Sequence, residues 1–267
     1  MNSAASGSAD RLQAALAGLL EKYAAPAPPG WTLLLRPDAA AGPHALFPGW
    51  TASDRPPGAD GVPLSPWRSE RRFIELKRLV DDQVVTPVLM GRFACHTDGS
   101  MLGLAAILYR EFDLAEWLLG SPIEAVTASI QGAAANVIVR LANATVCGVE
   151  AGATLPSGTA MIDRHELIAR RGVACDRVVD TQIPQDSVYA LTAGGTSRYT
   201  DTDAELFGLD AGEVTLVRAA FETLFHVGRA DALRQQHHRL AGLVHLAFES
   251  DRRRQRLTVE GGCQCGP

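Results

Sequence analysis

Apolar side chains return at helical spacing through residues 101–120, MLGLAAILYREFDLAEWLLG, at Leu104, Ile107, Leu108, Phe112, Leu114, Ala115 and Leu118. Gly120 followed by Pro122 ends the run, as a helix stop requires. The same period predicts a helix over 9–24, with Leu12, Ala15, Leu16, Leu19 and Leu20 on one face. Another is predicted over 67–82, with Phe73, Leu76, Leu79 and Val80 inward and Arg, Glu and Lys outward. Two amphipathic helices follow late in the chain, over 211–226 and 229–250.

Between them the period shortens to two. Residues 84–96 (VVTPVLMGRFACH) read as an extended strand whose alternation sets Arg92, Ala94 and His96 on one side and Gly91, Phe93 and Cys95 on the other. Runs at 123–131, 136–142, 144–151, 163–170 and 173–180 are rich in β-formers and bounded by Gly, Asn or Pro. Arg171-Gly172 reads as a hairpin turn, and shorter strands are predicted at 187–192, 197–200 and 256–260. Such tight connections imply antiparallel order, because parallel neighbours need crossovers. Residues 31–35 (WTLLL) form a continuous apolar run, expected as a short strand buried on both faces. From Arg36 to Pro66, Pro, Gly, Ala and Asp dominate, which predicts a long irregular segment pinned by Phe47 and Trp50. The expected fold class is α+β: one broad, mostly antiparallel β-sheet with helices on one face. The expected division is an N-terminal segment 1–66, a main domain 67–260 and a tail 261–267.

The 267 residues carry a net charge of -5 and no basic cluster beyond Arg252–Arg254, which argues against nucleic acid as a partner. No run has the length of a membrane span and the first residues show no leader pattern, so the expected location is cytoplasmic. Five widely spaced cysteines do not suggest a disulfide framework. Cys263 and Cys265 form a CxC in the tail without a second Cys/His cluster, and no metal site is expected.

The succession of words from Trp67 to Glu260 resembles the C-terminal, substrate-binding domain of the Gfo/Idh/MocA oxidoreductases. RFIELKRLVDDQVV is similar to that family's helix-then-strand entry, and MLGLAAILYREFDLAEWLLGSPIEAVTA to its core helix and following strand. EVTLVRAAFETL and LAFESDRRRQRLTVE are similar to its closing elements. The resemblance implies an N-terminal NAD(P)-binding Rossmann domain that opens with GxGxxG. This chain has neither GxGxxG nor GxxxxGK, and only 66 residues precede Trp67. The expectation is therefore that the dinucleotide site is missing, the helix at 9–24 and WTLLL being a remnant, with no cofactor bound.

The resemblance also implies a Glu-Lys-Pro whose lysine polarises the reacting hydroxyl, and Asp and His at i and i+4 on the core helix. Laid on this chain by the shared ending, Ala106 stands in place of Asp and Arg110 in place of His, while Asp113 is retained. Alanine transfers no proton and arginine stays charged at neutral pH. Lysine occurs only as Lys22, in LLEKYAA, and Lys77, on an outward helix face.

Arg92, His96, Tyr109 and Arg110 are the candidate substrate-binding residues, with Asp98 and Glu111 close by. His96, Arg110 and Arg92 are the candidates for catalysis, as anion-holding arginines and a proton-transferring histidine. The competing expectation is a structural salt bridge from Arg110 to Glu111 or Asp113. His165, between Arg164 and Glu166 on a strand, lacks the second His of HExxH and reads as sheet-surface or interface chemistry. His237, His238 and His245 read as core-edge or solvent-facing positions.

The family's open sheet face commonly builds its oligomer. NVIVRL and ATVCGVE carry apolar residues on both faces, so a sheet-to-sheet dimer is expected, with a second copy or a full-length Gfo/Idh/MocA relative. Three functions follow: a non-redox accessory subunit, a cofactor-independent lyase, isomerase or cyclase on a sugar-like or other polar small molecule in the old cleft, or an oxidoreductase whose nicotinamide site a partner chain supplies.

Overall fold

The computed structural model describes residues 3–27, 29–35, 42, 44–53, 61–176, 187–192, 194–200 and 209–259. In chain order the elements are α1 (Ser3–Lys22), β1 (Thr32–Leu33), β2 (Ala45–Pro48), β3 (Val62–Leu64), α2 (Arg71–Asp81), β4 (Val88–His96) and α3 (Leu104–Leu119). Then come β5 (Ile123–Gln131), β6 (Ala134–Leu141), β7 (Val146–Gly152), β8 (Ile162–Ala169), β9 (Gly172–Cys175), β10 (Ser187–Thr192) and β11 (Gly195–Thr200). Helices α4 (Ala211–Phe225) and α5 (Arg229–Arg253) and the two-residue β12 (Leu257–Thr258) complete the chain.

The chain divides into two units, one of Met1–Glu70 with Thr202–Ala241 and one of Arg71–Asp201 with Gly242–Pro267. Residues 202–241, expected to belong with 67–260, thus fall with the N-terminal segment, and α5 contributes to both units.

In the first unit the segment expected to be irregular holds structure. Its apolar words ALFP and VPL form β2 and β3, all seven residues buried, and these pair in parallel with β1 in the order β1-β2-β3. The surrounding Pro and Gly hid them, because runs of three and four residues are too short to show a period. Gly61 lets β3 approach β2: a Cβ there would stand 2.6 Å from both the Ala45 carbonyl oxygen and Phe47 Cε1. Leu12 and Leu16 of α1, Leu33, Leu46, Val62 and Leu64 of the strands, and Val217, Ala220 and Leu224 of α4 share one core. WTLLL is less buried than expected: only Thr32–Leu33 is strand, and Leu35 is exposed. Asp210 caps α4 by accepting from the Glu213 backbone N–H, while the Glu213 carboxylate accepts from Asp210 N–H, a reciprocal cap worth about 1 kcal/mol.

The second unit is built on a nine-stranded sheet in the order β11-β10-β9-β8-β4-β7-β6-β5-β12. Neighbours in this sheet are antiparallel except β4 and β7, which depart from the antiparallel expectation as the β1-β2-β3 sheet of the first unit does. That pair is parallel because the chain leaves β4 through α3 and returns only after the β5–β6 hairpin. Helices α2 and α3 pack on one face. Phe93 and Cys95 of β4, Val137 and Val139 of β6 and Cys147 and Val149 of β7 are buried, while Arg92, Asn136, Ile138, Arg140 and Glu150, one residue out of step, are exposed. A period of two on a half-covered sheet requires this division. Ser250 on α5 ties the far edge: its hydroxyl accepts from the Ala128 N–H and donates to the Gln255 carbonyl oxygen. Among the described residues no helix is long and apolar enough to cross a membrane.

Candidate functional site: a buried ion network under the central helix

Helix α3 is the centre of the second unit. Gly103 is its N-cap without a side-chain hydrogen bond, and Gly120, at φ 64°, ends it in the left-handed conformation that glycine adopts without strain. Every apolar position expected on its inner face is buried, and so are Arg110, Glu111, Asp113 and Glu116. The burial of Glu111 is written in the spacing: its helical neighbours at i±3 and i±4 are Ile107, Leu108, Leu114 and Ala115, all apolar. A carboxylate in the middle of an apolar stripe must be paired when it is buried.

Its partners come from its own helix and from the sheet. Glu111 Oε1 accepts from Arg110 Nη1 at 2.5 Å, and Oε2 lies 2.8 Å from His165 Nε2. The other ring nitrogen of His165 lies 2.6 Å from Asp176 Oδ2, while Asp176 Oδ1 accepts from the His165 backbone N–H at 2.7 Å. Arg110 Nη2 donates to Asp163 Oδ2 at 2.7 Å, and Arg72 donates to both oxygens of Asp163 at 2.7 and 2.8 Å. Arg72 also reaches Asp176 Oδ2 at 3.3 Å. The Phe73 and Phe93 rings stand edge-on to the His165 ring, with centroids 4.7 and 5.0 Å away. The Arg72 guanidinium sits 4.5 Å from the centre of the Phe73 ring.

Six side chains from α2, α3, β8 and the end of β9 thus join in one network. Both ring nitrogens of His165 face carboxylate oxygens, so the imidazole must carry two protons to donate to both. Among the described residues, three cations (Arg72, Arg110, His165) then face three anions (Glu111, Asp163, Asp176) around a fully buried imidazole, with Arg72 and Asp163 at the partly exposed rim. Burial opposes charge on His165, but the Asp176 and Glu111 carboxylates prevail and raise its pKa to about 9. Burial likewise works against ionisation of Asp163, and the Arg72 and Arg110 guanidiniums overcome it and hold the carboxyl well below the usual range. Glu111 and Asp176 are lowered too, each against its burial and chiefly by the His165 charge. Cys95 sits at the margin of this network, where burial pushes its thiol up to about 12 and keeps it neutral.

His165 was expected on the sheet surface and is fully buried instead. The word IDRHELIA is polar at four consecutive positions, so its alternation does not say which face is inward. Pairing decides it: His165 lies opposite Phe93 on β4, and Arg92 opposite Glu166.

That register separates the expected cluster. Arg110 is buried among the network on the helix-covered face, whereas Arg92 is exposed on the other face, 3.3 Å from Glu166. His96 alternates with Arg92 on that open face and packs against Gly152 of β7, where a Cβ would stand 2.8 Å from its Nδ1. Tyr109 is buried on α3. Asp98 shapes the loop before α3, accepting from Ser100 N–H and Gly158 N–H. Arg92 and His96 are therefore not brought together with Arg110, and the ion pair from Arg110 to Glu111 forms. At the position that the family resemblance gives to a catalytic Asp, Ala106 is buried. Lys77 pairs with Asp81 on the surface of α2. His237 is buried on α5, where burial and then His238 lower its pKa to about 4, and His238 and His245 are exposed. Among the described residues no cluster of His, Cys, Asp and Glu is arranged to hold a metal. Cys263, Cys265 and the tail lie outside the described residues.

In open parallel sheets a dinucleotide sits beyond the carboxyl ends of the strands, on a glycine turn that leads to a helix N-terminus. Beyond β2 and β3 the chain enters four-residue 3-10 turns, Gly49–Ala52 and Pro66–Ser69. Trp67 is buried there with its ring 5.3 Å from that of Trp50. At these two strand ends the chain enters a 3-10 turn and not an α-helix.

No protein-family model matches the sequence, and no curated protein matches it. Solved structures do match. An oxidoreductase from Agrobacterium radiobacter in complex with NAD+, L-tartaric acid and magnesium superposes with a TM-score of 0.57 at 13% identity, over 75% of this chain and 66% of that one. Levoglucosan dehydrogenase in its apo form gives 0.61 at 14%, over 81% and 73%. An oxidoreductase domain protein from Kribbella flavida gives 0.62 at 13%, over 81% and 74%. These proteins are Gfo/Idh/MocA-type oxidoreductases. The chain spans about two thirds of the length of the first, and the matched share of this chain is larger than either of its units alone. At these identities the likeness is one of fold: the chain has the α+β architecture of that class of enzymes.

Proposed function

We propose that the protein is a Gfo/Idh/MocA relative without autonomous redox activity, acting as an accessory subunit that pairs through the open face of its nine-stranded sheet. One observation carries the reading. Arg110, at the helix position that the family resemblance gives to a proton-transferring histidine, is engaged by Glu111 and Asp163 inside a buried, charge-balanced network. A guanidinium held this way neither exchanges protons near neutral pH nor reaches a substrate. The missing glycine turn and the tryptophan-capped ends of β2 and β3 support the loss of the nicotinamide site.

The partner surface is supported by what the open face exposes. Ile138 is 53% exposed, Ile162 42% and Val146 38%, interspersed with Arg92, Arg140, Arg164, Glu124, Glu150 and Glu166. Apolar side chains on a rigid sheet, set among equal numbers of both charges, suit a protein partner better than water alone. A second copy of this chain and a full-length relative both fit that description.

Titration of the pure protein with NADH and NADPH, followed by nucleotide fluorescence, tests the first half. The expected outcome is no saturable binding up to millimolar nucleotide, and micromolar saturation overturns the reading. Light scattering on the wild type and on Ile138→Glu tests the second half. A mass that falls to the single chain in the variant supports the sheet face, and an unchanged oligomer places pairing elsewhere.

A further inference from the structure

We propose that His165 is an alkaline-sensitive latch: its imidazolium fastens the end of β9, at Asp176, to helix α3, and loss of one ring proton frees the β9–β11 edge before the rest of the sheet. The reasoning is geometric. His165 lies between Glu111 Oε2 on α3 and Asp176 Oδ2 just past β9, at 2.8 and 2.6 Å. A neutral ring has one N–H, so in either tautomer a lone pair would face a carboxylate oxygen.

The charged groups around the ring decide which side gives way. From α3 it meets Glu111 and, through Glu111, Arg110; from α2, Arg72 beside the Phe73 ring; from its own strand, Asp163. From β4 it meets Phe93, with the neutral thiol of Cys95 nearby. Glu111 keeps Arg110 at 2.5 Å when the ring is neutral. Asp176 keeps a backbone N–H and a longer contact to Arg72 at 3.3 Å. Among the described groups the network then has one positive charge fewer, and the more weakly held carboxylate is Asp176.

What hangs on Asp176 is the sheet's edge. Strand β9 pairs with β8 over only four residues, Gly172–Cys175, and β10 and β11 lie beyond it in the sheet order. Beside the four paired residues, this edge is held by the Asp176 N–H, which donates to the His165 carbonyl oxygen at 3.1 Å, and by the packing of α2, and the side-chain latch adds to these holds.

Nitrogen-15 NMR of the histidine rings tests the protonation. Both ring nitrogens of His165 are expected to carry protons at pH 7.5, and one bare nitrogen there overturns the proposal. Amide exchange then tests the consequence. Between pH 7.5 and 10, exchange of the Val173 and Ala174 amides, corrected for base catalysis, should rise roughly tenfold relative to Val137 and Val139 of β6. Equal changes in the two strands overturn it. His165→Gln should show the loosened edge already at pH 7.5, with no further step to pH 10. Should that variant not fold, the wild-type exchange ratio decides alone.

Discussion

The two faces of the nine-stranded sheet hold the same chemistry in different surroundings. On the open face Arg92 meets Glu166 at 3.3 Å and Arg140 meets Glu124 at 3.1 Å, with the arginines at 60% and 50% exposure. On the covered face Arg110 meets Glu111 and Asp163 at similar or shorter distances, at 2% exposure. In water the gain of such a pair is screened and offset by side-chain ordering, which leaves about 0–1 kcal/mol. Out of water the desolvation cost is already incurred, so an unpaired survivor is expensive, about 3–5 kcal/mol. Distance alone therefore does not rank these pairs; burial does.

The largest expected effect follows from that difference. Glu111→Gln keeps the shape of the side chain and removes its charge, leaving His165 and Arg110 short of one anion inside the protein. Unfolding in urea should show a loss of about 3–5 kcal/mol. Glu124→Gln, whose carboxylate is 46% exposed beside Arg140 on the open face, should cost about 1 kcal/mol or less. Equal losses at the two positions would break the comparison.

The same contrast explains what could be read from the amino acids. Helix α3 and strand β6 of the second unit were legible because their apolar residues keep one period over eight or more positions, β6 facing water on one side. β2 and β3 were not, since short strands buried throughout have no alternation to detect. The network was half legible. Glu111 betrays itself by its four apolar helical neighbours, but its partner His165 lies 54 residues away on a strand without alternation. Arg92, His96 and Arg110 were grouped as polar residues around one cleft. Only the register of β4 against β8, which sets Arg92 with Glu166 and Phe93 with His165, reveals that a sheet stands between them.

A smaller effect is the dependence of stability on pH. The folded pKa of His165, about 9, lies above its ordinary value of 6.5, so its contribution is complete below pH 6.5 and is lost as pH rises through about 9. Glu111, Asp163 and Asp176 are depressed, so theirs is complete above the ordinary carboxylate range and is lost as pH falls below it. Thermal unfolding should thus show a plateau of stability between roughly pH 5 and 6.5, with a decline on both sides. Between pH 6.5 and about 9 the alkaline decline, on the order of 3 kcal/mol, belongs to His165; above that the buried thiols of Cys95 and Cys147, which burial keeps neutral, add to it. In His165→Gln the part below pH 9 should disappear while the acid decline remains. A wild-type curve flat to pH 10 would remove His165 from the network's charge balance.

The smallest expected effect is on the open face, and it is also where the contrast between the faces can be made to vanish. Arg92→Ala in dilute protein should cost less than about 1 kcal/mol, with the cost falling further in high salt. If a second copy covers this face, Arg92 leaves water in the dimer, and truncating it strands the already half-buried Glu166 as a partner would be stranded inside the network. The cost of Arg92→Ala should then grow with protein concentration, from nearly nothing for the separate chain to a value nearer that of Glu111→Gln for the pair. Unfolding midpoints of wild type and variant, measured at concentrations a hundredfold apart, read this directly. A difference that stays constant across that range means that the open face remains in water, and that the two faces of the sheet differ permanently.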